Sequence, residues 1–289
     1  MSSSLFRSVA LALLVLLSVA HSQEGPVASL GFQGPPPIQD NSFLLEEAYN
    51  QEDGVIQHIS SFTRLSDTHD WVYSFTEEWP VPGHPRHQVS YTMLAAHNGG
   101  FPDSGAGLGD FGLNYRFQLI GSGESKVAFA PRFTVLFPTG SSSQGRSLGG
   151  VAWQGNLPLS IELSKKFVTH WNAGATIVPN ARNAAGDEAT ASSYSGGASV
   201  VWLAHPQFNV LLESLFVRAQ SIEGPGQTPW SNSVLVSPGV RWAFNLRGGL
   251  QIVPGVAVPV GVGPSAGQTG VFVYLSLEHP FRWAAGRRE

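Results

Sequence analysis

The chain has 289 residues, a formal net charge of -4, only 12% charged residues and no cysteine. A disulfide scaffold and any thiolate metal site are excluded, and no basic stripe is present to attract nucleic acid. The charged fraction is about half the ~25% of an average soluble protein, yet mean hydropathy is +0.01, a balance that strands of alternating apolar and polar residues produce.

Val9 to Leu17, preceded by Arg7, is the only long apolar run. It is too short for a membrane helix of ~20 residues and right for the apolar region of a secretory signal. With Ser18, Ala20 and Ser22 as small cleavage-site residues, residues 1–22 read as a signal peptide, an uncleaved anchor being the alternative. Residues 23–40 hold Gly25, Pro26, Gly31, Gly34 and three successive prolines, an extended lead-in. Next, Asn41 or Ser42 is placed to cap a short helix with Phe43, Leu44 and Ala48 along one side. Two turns of helix cannot stand alone in water, so residues 23–54 are expected to end in a helical entry segment packed at a barrel mouth.

The clearest strand is Asp110 to Ile120. Phe111, Leu113, Tyr115, Phe117 and Leu119 share one parity, and Asp110, Gly112, Asn114, Arg116 and Gln118 the other. Successive strand side chains point to opposite faces, so this run has one greasy and one wet face. After the turn 121–125 the alternation resumes through Val127, Phe129, Phe133, Val135 and Phe137, making an antiparallel hairpin. Its strands approach the ~9–11 residues that cross a bilayer at a tilt.

Twelve such strands are expected, at 55–64, 70–79, 86–96, 108–120, 126–137, 149–163, 166–179, 192–204, 207–219, 231–244, 248–260 and 269–281. An even count suits a closed bacterial barrel. Connections at 97–107, 138–148, 180–191, 220–230 and 261–268 are long, while those at 121–125, 164–165, 204–206 and 245–247 are tight. Long external loops and short periplasmic turns give this alternation; the connections near 65–69 and 80–85 do not show it. Closure satisfies every backbone group, as hydrocarbon requires. Trp71, Trp79, Trp153, Trp171, Trp202, Trp230, Trp242 and Trp283 lie near strand ends, as interfacial girdles do, against the competing reading of a soluble aromatic core. Pro131, Pro158, Pro238, Pro254 and Pro259 fall inside the expected strands, so these positions are bulges or strand ends, or some strands are shorter. The fold class is therefore all-β: an antiparallel transmembrane barrel of about 12 strands over residues 55–283, with a periplasmic tail at 284–289.

Inward parity selects Arg116, Gln118, Arg132, Glu213, Arg241, Gln251 and Glu278 as lumen-lining candidates. Charge facing lipid at mid-depth costs ~2–4 kcal/mol, so these should face a lumen. They either hold a solute or form an Arg–Glu network that props or plugs the barrel. Arg116 and Arg132 belong to neighbouring strands; Phe43, Glu46, Glu47 and Tyr49 are the entry-segment candidates, with the two acids as partners for the arginines. His84 and His87 bring no third metal ligand and read as an exposed loop. Glu77 and Glu78 point to opposite faces and cannot form a carboxylate dyad. No nucleophile, Walker or dinucleotide motif is present. A membrane hydrolase would need a Ser and His brought together, and nothing in the sequence pairs His170 with Ser231.

The string Asp40 to Ile59, D-N-S-F-L-L-E-E-A-Y-N-Q-E-D-G-V-I-Q-H-I, resembles the entry segment of a bacterial outer-membrane family labelled MetA-pathway of phenol degradation, often called simply transporter. Weaker echoes are Ala130-Pro131-Arg132 leading to Phe137-Pro138-Thr139-Gly140, Ser237-Pro238-Gly239-Val240-Arg241, and Val271 to Phe281. The tail after Phe281 and Trp283 departs from the aromatic ending such barrels commonly have. The resemblance spans roughly residues 38–283 and implies an outer-membrane barrel with a transport role, without a mechanism.

The expected function is passive passage of small solutes, apolar or aromatic ones included, through the bacterial outer membrane, without catalytic residues, metal or cofactor. Expected partners are outer-membrane lipid, the solute and the outer-membrane assembly machinery; oligomeric state is left open. Alternatives are a structural or interaction barrel plugged by residues 38–54, an outer-membrane hydrolase and a secreted soluble β-protein.

Overall fold

The computed structural model describes residues 41–100 and 105–281. Twelve antiparallel strands close into one barrel. They are β1 (Val55–Leu65), β2 (Trp71–Val81), β3 (His84–His97), β4 (Gly107–Phe117), β5 (Val127–Phe129 and Arg132–Phe137) and β6 (Ala152–Asn156 and Leu159–Ser164). Then come β7 (Phe167–Arg182), β8 (Glu188–His205), β9 (Phe208–Gln220), β10 (Trp230–Trp242, prolonged by Phe244–Asn245), β11 (Gln251–Ala257 and Val260–Gly261) and β12 (Gly270–Pro280). Each strand pairs with its sequence neighbours, and β1 closes the ring on β12 from Val55↔Pro280 to Leu65↔Gly270.

Three of the five prolines singled out in the sequence, Pro131, Pro158 and Pro259, stand where β5, β6 and β11 are interrupted; Pro238 and Pro254 lie inside β10 and β11. Register survives the interruptions: Phe129↔Leu159 and Arg132↔Asn156 lie on one continuous pairing of β5 with β6. Proline thus removes a donor without slipping the ladder.

The start of β1 and the end of β12 share one mouth, here the terminal mouth; the other is the loop mouth. Connections at the loop mouth include 98–106, 138–151 and 221–229, and those at the terminal mouth include 82–83, 165–166 and 206–207. Three expectations change. The long loop at 180–191 shrinks to 183–187 because β7 and β8 pair out to Arg182↔Glu188. The turn at 121–125 widens to 118–126, because β4 ends at Phe117. His84 and His87, read as loop, open β3 instead.

Burial is inverted relative to a soluble protein. Outward positions are large and apolar and stay exposed, among them Leu113, Phe133, Ile177, Leu212, Phe216 and Val273. An apolar patch this extensive needs hydrocarbon against it, since soluble monomers rarely expose more than a few hundred Å² in one piece. Tryptophans mark two belts: Trp71, Trp153 and Trp230 near the loop mouth, and Trp79, Trp171, Trp202 and Trp242 near the terminal mouth. Many lean on an aromatic of the next strand, as Trp153 does on Phe133 (ring centroids 6.0 Å apart) and Trp202 on Phe167 (6.5 Å). Trp283 lies outside the described residues.

The inward positions change with height. Toward the loop mouth many are apolar, with Leu65, Val72, Leu94, Leu136, Val178 and Val217 all buried, and Asp70, Asn98 and Asp110 are buried among them. At mid-height hydroxyls and amides bond from strand to strand: Ser61 with Ser74 (2.7 Å), Thr76 with Thr92 (2.9 Å), and Asn114 with Thr92 (3.2 Å) and Thr134 (2.7 Å). Toward the terminal mouth the wall carries charge: Glu78, Arg116, Arg132, Glu213, Arg241 and Glu278, all buried.

Candidate functional site: a lumen filled by residues 41–52

Residues 41–52 run through the charged part of the lumen as a series of bends. The helix expected there is not formed. A helix satisfies its amides internally, whereas here the barrel wall satisfies them. Glu213 Oε1 accepts the amides of Phe43 (3.0 Å), Leu44 (2.8 Å) and Leu45 (3.2 Å), three successive donors on one carboxylate oxygen. Asn172 Oδ1 accepts the amide of Glu46 (3.0 Å), Ser160 Oγ that of Ala48 (2.8 Å), Gln118 Oε1 that of Asn50 (2.9 Å) and Gln88 Oε1 that of Gln51 (2.6 Å). The wall also supplies donors: Arg241 Nη1 to the Asn41 carbonyl (2.6 Å), Asn172 Nδ2 to that of Glu46 (2.7 Å), Gln118 Nε2 to that of Ala48 (2.8 Å) and Arg116 Nη1 to that of Tyr49 (2.6 Å).

A buried backbone demands pairing of this kind, because each unpaired polar group costs ~1–3 kcal/mol. The inward amides and carboxylates of the wall therefore act as a template for one bent length of backbone.

Side chains add specificity. Phe43 packs on Phe272 and Tyr274 (ring centroids 5.2 and 5.3 Å away) and lies against Gly239 and Gly255, where an added Cβ would come within 2.8 and 2.5 Å of its ring. Ser42 and Ser199 share a hydroxyl hydrogen bond of 2.6 Å. The carboxylate of Glu46 sits between two guanidiniums: Oε2 accepts from Arg116 Nη2 (2.9 Å), and Oε1 pairs with Arg132 Nη2 (2.7 Å) and accepts from Asn156 Nδ2 (2.7 Å). All three charged side chains are at most 3% exposed. Removing one partner of such a pair leaves an uncompensated buried charge and costs ~3–5 kcal/mol.

All seven lumen candidates and all four entry candidates are buried. Arg116, Gln118, Arg132, Glu213 and Arg241 meet the segment directly. Gln251 and Glu278 bond wall residues instead, Asn245 (2.8 Å) and Gln57 (2.7 Å) respectively. Arg116 and Arg132 stand directly opposite each other across β4 and β5. Sequence reasoning passed over Gln88, Asn156, Asn172 and Ser199, although each is a polar inward residue that parity could have flagged. His170 pairs with Ser160 (2.7 Å), not Ser231; since Ser160 Oγ also receives the Ala48 amide, its hydroxyl is engaged in holding the segment. Glu77 and Glu78 do diverge: Glu78 takes a bond from Gln88 inside (3.0 Å), while Glu77 meets Tyr91 (3.0 Å) and His58 (3.3 Å) outside. Among the described residues no three His, Cys, Asp or Glu are grouped to hold a metal.

Two cavities flank the filled zone. At the loop mouth one of about 370 Å³ is lined by Leu148, Val178, Ala181, Ala219 and Ile222, with Asn98, Ser147, Arg182, Asn183 and Gln220 among its polar residues. At the terminal mouth one of about 250 Å³ lies among Asn50, Glu52, Asp53, Gln118 and Glu124. Burial and the charge of Glu124 push the Glu52 carboxyl up to about 7.

No family model and no curated protein matches the chain. Among solved structures, a KdgM porin matches at 7% identity over 78% of this chain and 99% of that one (TM-score 0.47), and the CymD monoaromatic hydrocarbon channel at 9% over 80% and 90% (TM-score 0.42). The barrel is similar in fold to a NanC porin, at 8% identity over 78% of this chain and all of that one, with a TM-score of 0.50.

Proposed function

We propose that this protein is an outer-membrane channel for small solutes, apolar or aromatic ones included, and that residues 41–52 hold it closed in the state described. The observation that carries this reading is the division of the lumen. Its loop-mouth half holds a cavity of about 370 Å³ with a chiefly apolar inner lining, within the ~300–1,000 Å³ typical of small-molecule pockets. Its other half is filled by a segment that leads into β1 and whose contacts with the wall are all non-covalent. A barrel that served only as a scaffold would gain nothing from an apolar cavity above a separable filling. The fold shared with a porin and the resemblance of residues 40–59 to the phenol-degradation transporter family support the same reading, as does the charged-ring logic of channel selectivity. Residues 1–22 would then direct export, and lipid and the outer-membrane assembly machinery would be the partners of the wall.

Single-channel current across a planar bilayer tests this. The full chain should give rare, discrete steps, and a chain with residues 41–52 deleted should give frequent ones. If both are silent while gel mobility confirms folded barrels, the protein is a structural barrel and the channel reading falls.

A further inference from the structure

Arg116 and Arg132 face each other in register on neighbouring strands. Like charges placed directly opposite repel, so the wall alone is unfavourable there until an anion lies between them. The carboxylate that bridges the two arginines is Glu46, from the entry segment; the wall carboxylate of Glu78 acts on both electrostatically as well. Asn156 completes the cradle with an amide donor to the same oxygen that Arg132 holds. Two guanidiniums and an amide converging on two oxygens recognise a planar carboxylate.

What lies above the cradle sets the rest of the ligand. A small gap of about 40 Å³ adjoins it, with Leu45, Leu215 and Val217 on its apolar side and Gln154, Thr176 and Ser193 on its polar side; beyond the mid-height band of hydroxyls and amides lies the cavity at Leu148, Val178 and Ile222. A solute descending from the loop mouth meets that chiefly apolar cavity first, then the polar band, and last the paired arginines, which have apolar side chains beside them for its body.

We propose that Arg116, Arg132 and Asn156 form a solute site for small monocarboxylates with an apolar body, and that Glu46 occupies it as a built-in surrogate ligand. This rests on the channel reading and gives it a gate: the solute opens the barrel by competing with Glu46 for the cradle. Displacing that carboxylate removes the segment's charged anchor, and the passing solute takes over the neutralisation of the two arginines.

The test uses the full chain with Glu46→Ala, folded in detergent, and thermal unfolding with three probes: benzoate, benzyl alcohol as its neutral counterpart, and acetate as the carboxylate without a body. A ligand that binds only the folded state raises the midpoint in proportion to its affinity. Benzoate should raise the midpoint, benzyl alcohol should not, and acetate should require about tenfold or higher concentration for the same shift. In Glu46→Ala combined with Arg132→Gln the benzoate effect should weaken by about tenfold or more.

Wild-type protein in bilayers supplies a measurement that needs no variant: benzoate at the loop-mouth side should increase the frequency of opening and benzyl alcohol should leave it unchanged. Equal effects of benzoate and benzyl alcohol in both experiments overturn the cradle, even if the channel conducts. A benzoate shift in Glu46→Ala with no conduction from any variant overturns the channel reading and leaves the carboxylate site standing.

Discussion

Gly255 is a position where the wall has no room for a methyl group. An added Cβ would lie 2.5 and 2.7 Å from Phe43 ring carbons and 3.3 Å from Arg241 Cβ, and overpacking of this kind costs ~1–3 kcal/mol. Gly255→Ala should therefore push Phe43 off Phe272 and Tyr274 and loosen the three amides that Glu213 holds. Hydrogen exchange reads this directly: the amides of residues 43–45 should lose protection, while Gly155→Ala, where nothing lies within 4 Å, should leave them unchanged. Equal protection in both variants would mean that the ring is not what seats the segment. Glu52 gives a pH dependence at the other end of the same segment. Its carboxyl rises from the ordinary 4.5 to about 7, through burial first and the charge of Glu124 second. Below pH 4.5 folded and unfolded chains both hold the proton, and the stabilising contribution is complete. Between 4.5 and 7 the unfolded chain releases it first, so stability declines across that window and levels off above it. Glu52→Gln should flatten this decline in a series of thermal midpoints; an unchanged slope would assign it to another group.

The entry segment is the element whose conformation the sequence misstates and whose destination it indicates. Asn41 and Ser42 followed by Phe43, Leu44 and Ala48 have the local pattern of a capped helix, but local pattern does not see acceptors 110 to 170 residues away. Glu213, Asn172 and Ser160 take the place of internal helical bonds, because the strands hold their acceptors against the segment's amides. The strands themselves were legible, since period-two alternation is a property of the chain alone; β4 and its neighbours needed only parity to place Arg116, Gln118 and Arg132 on the buried face. Pairing of Arg116 with Arg132 was less legible, as it depends on register across a connection of nine residues, 118–126. Whether the segment leaves can be tested by fixing it. The hydroxyl oxygens of Ser42 and Ser199 are 2.6 Å apart, so the two side chains already point at each other, and the chain has no native cysteine to compete. Ser42→Cys with Ser199→Cys should form a disulfide under oxidation, silence the single-channel steps, and recover them on reduction. Steps that persist with the disulfide demonstrably formed would show that conduction does not require the segment to move.

At the scale of the whole barrel the governing fact is that large apolar residues face out while polar residues face in, with the charges of Glu78, Arg116, Arg132, Glu213, Arg241 and Glu278 buried on the inner face. Inversion of this kind has a depth dependence that a soluble β-protein lacks, because lipid penalises charge most at its midplane. Leu212, outward on β9 and 52% exposed, is next in sequence to Glu213, which is wholly buried in the lumen. Leu246, 51% exposed, lies in the turn after β10 at the terminal mouth. By exposure the two leucines are equivalent, and in water an arginine at either would cost little. In a bilayer Leu212→Arg should cost about 2–4 kcal/mol and Leu246→Arg about 0–1 kcal/mol, measured by reversible denaturant unfolding into lipid vesicles. Equal costs would remove the hydrocarbon from around β9 and, with it, the physical reason for a lumen so rich in buried charge.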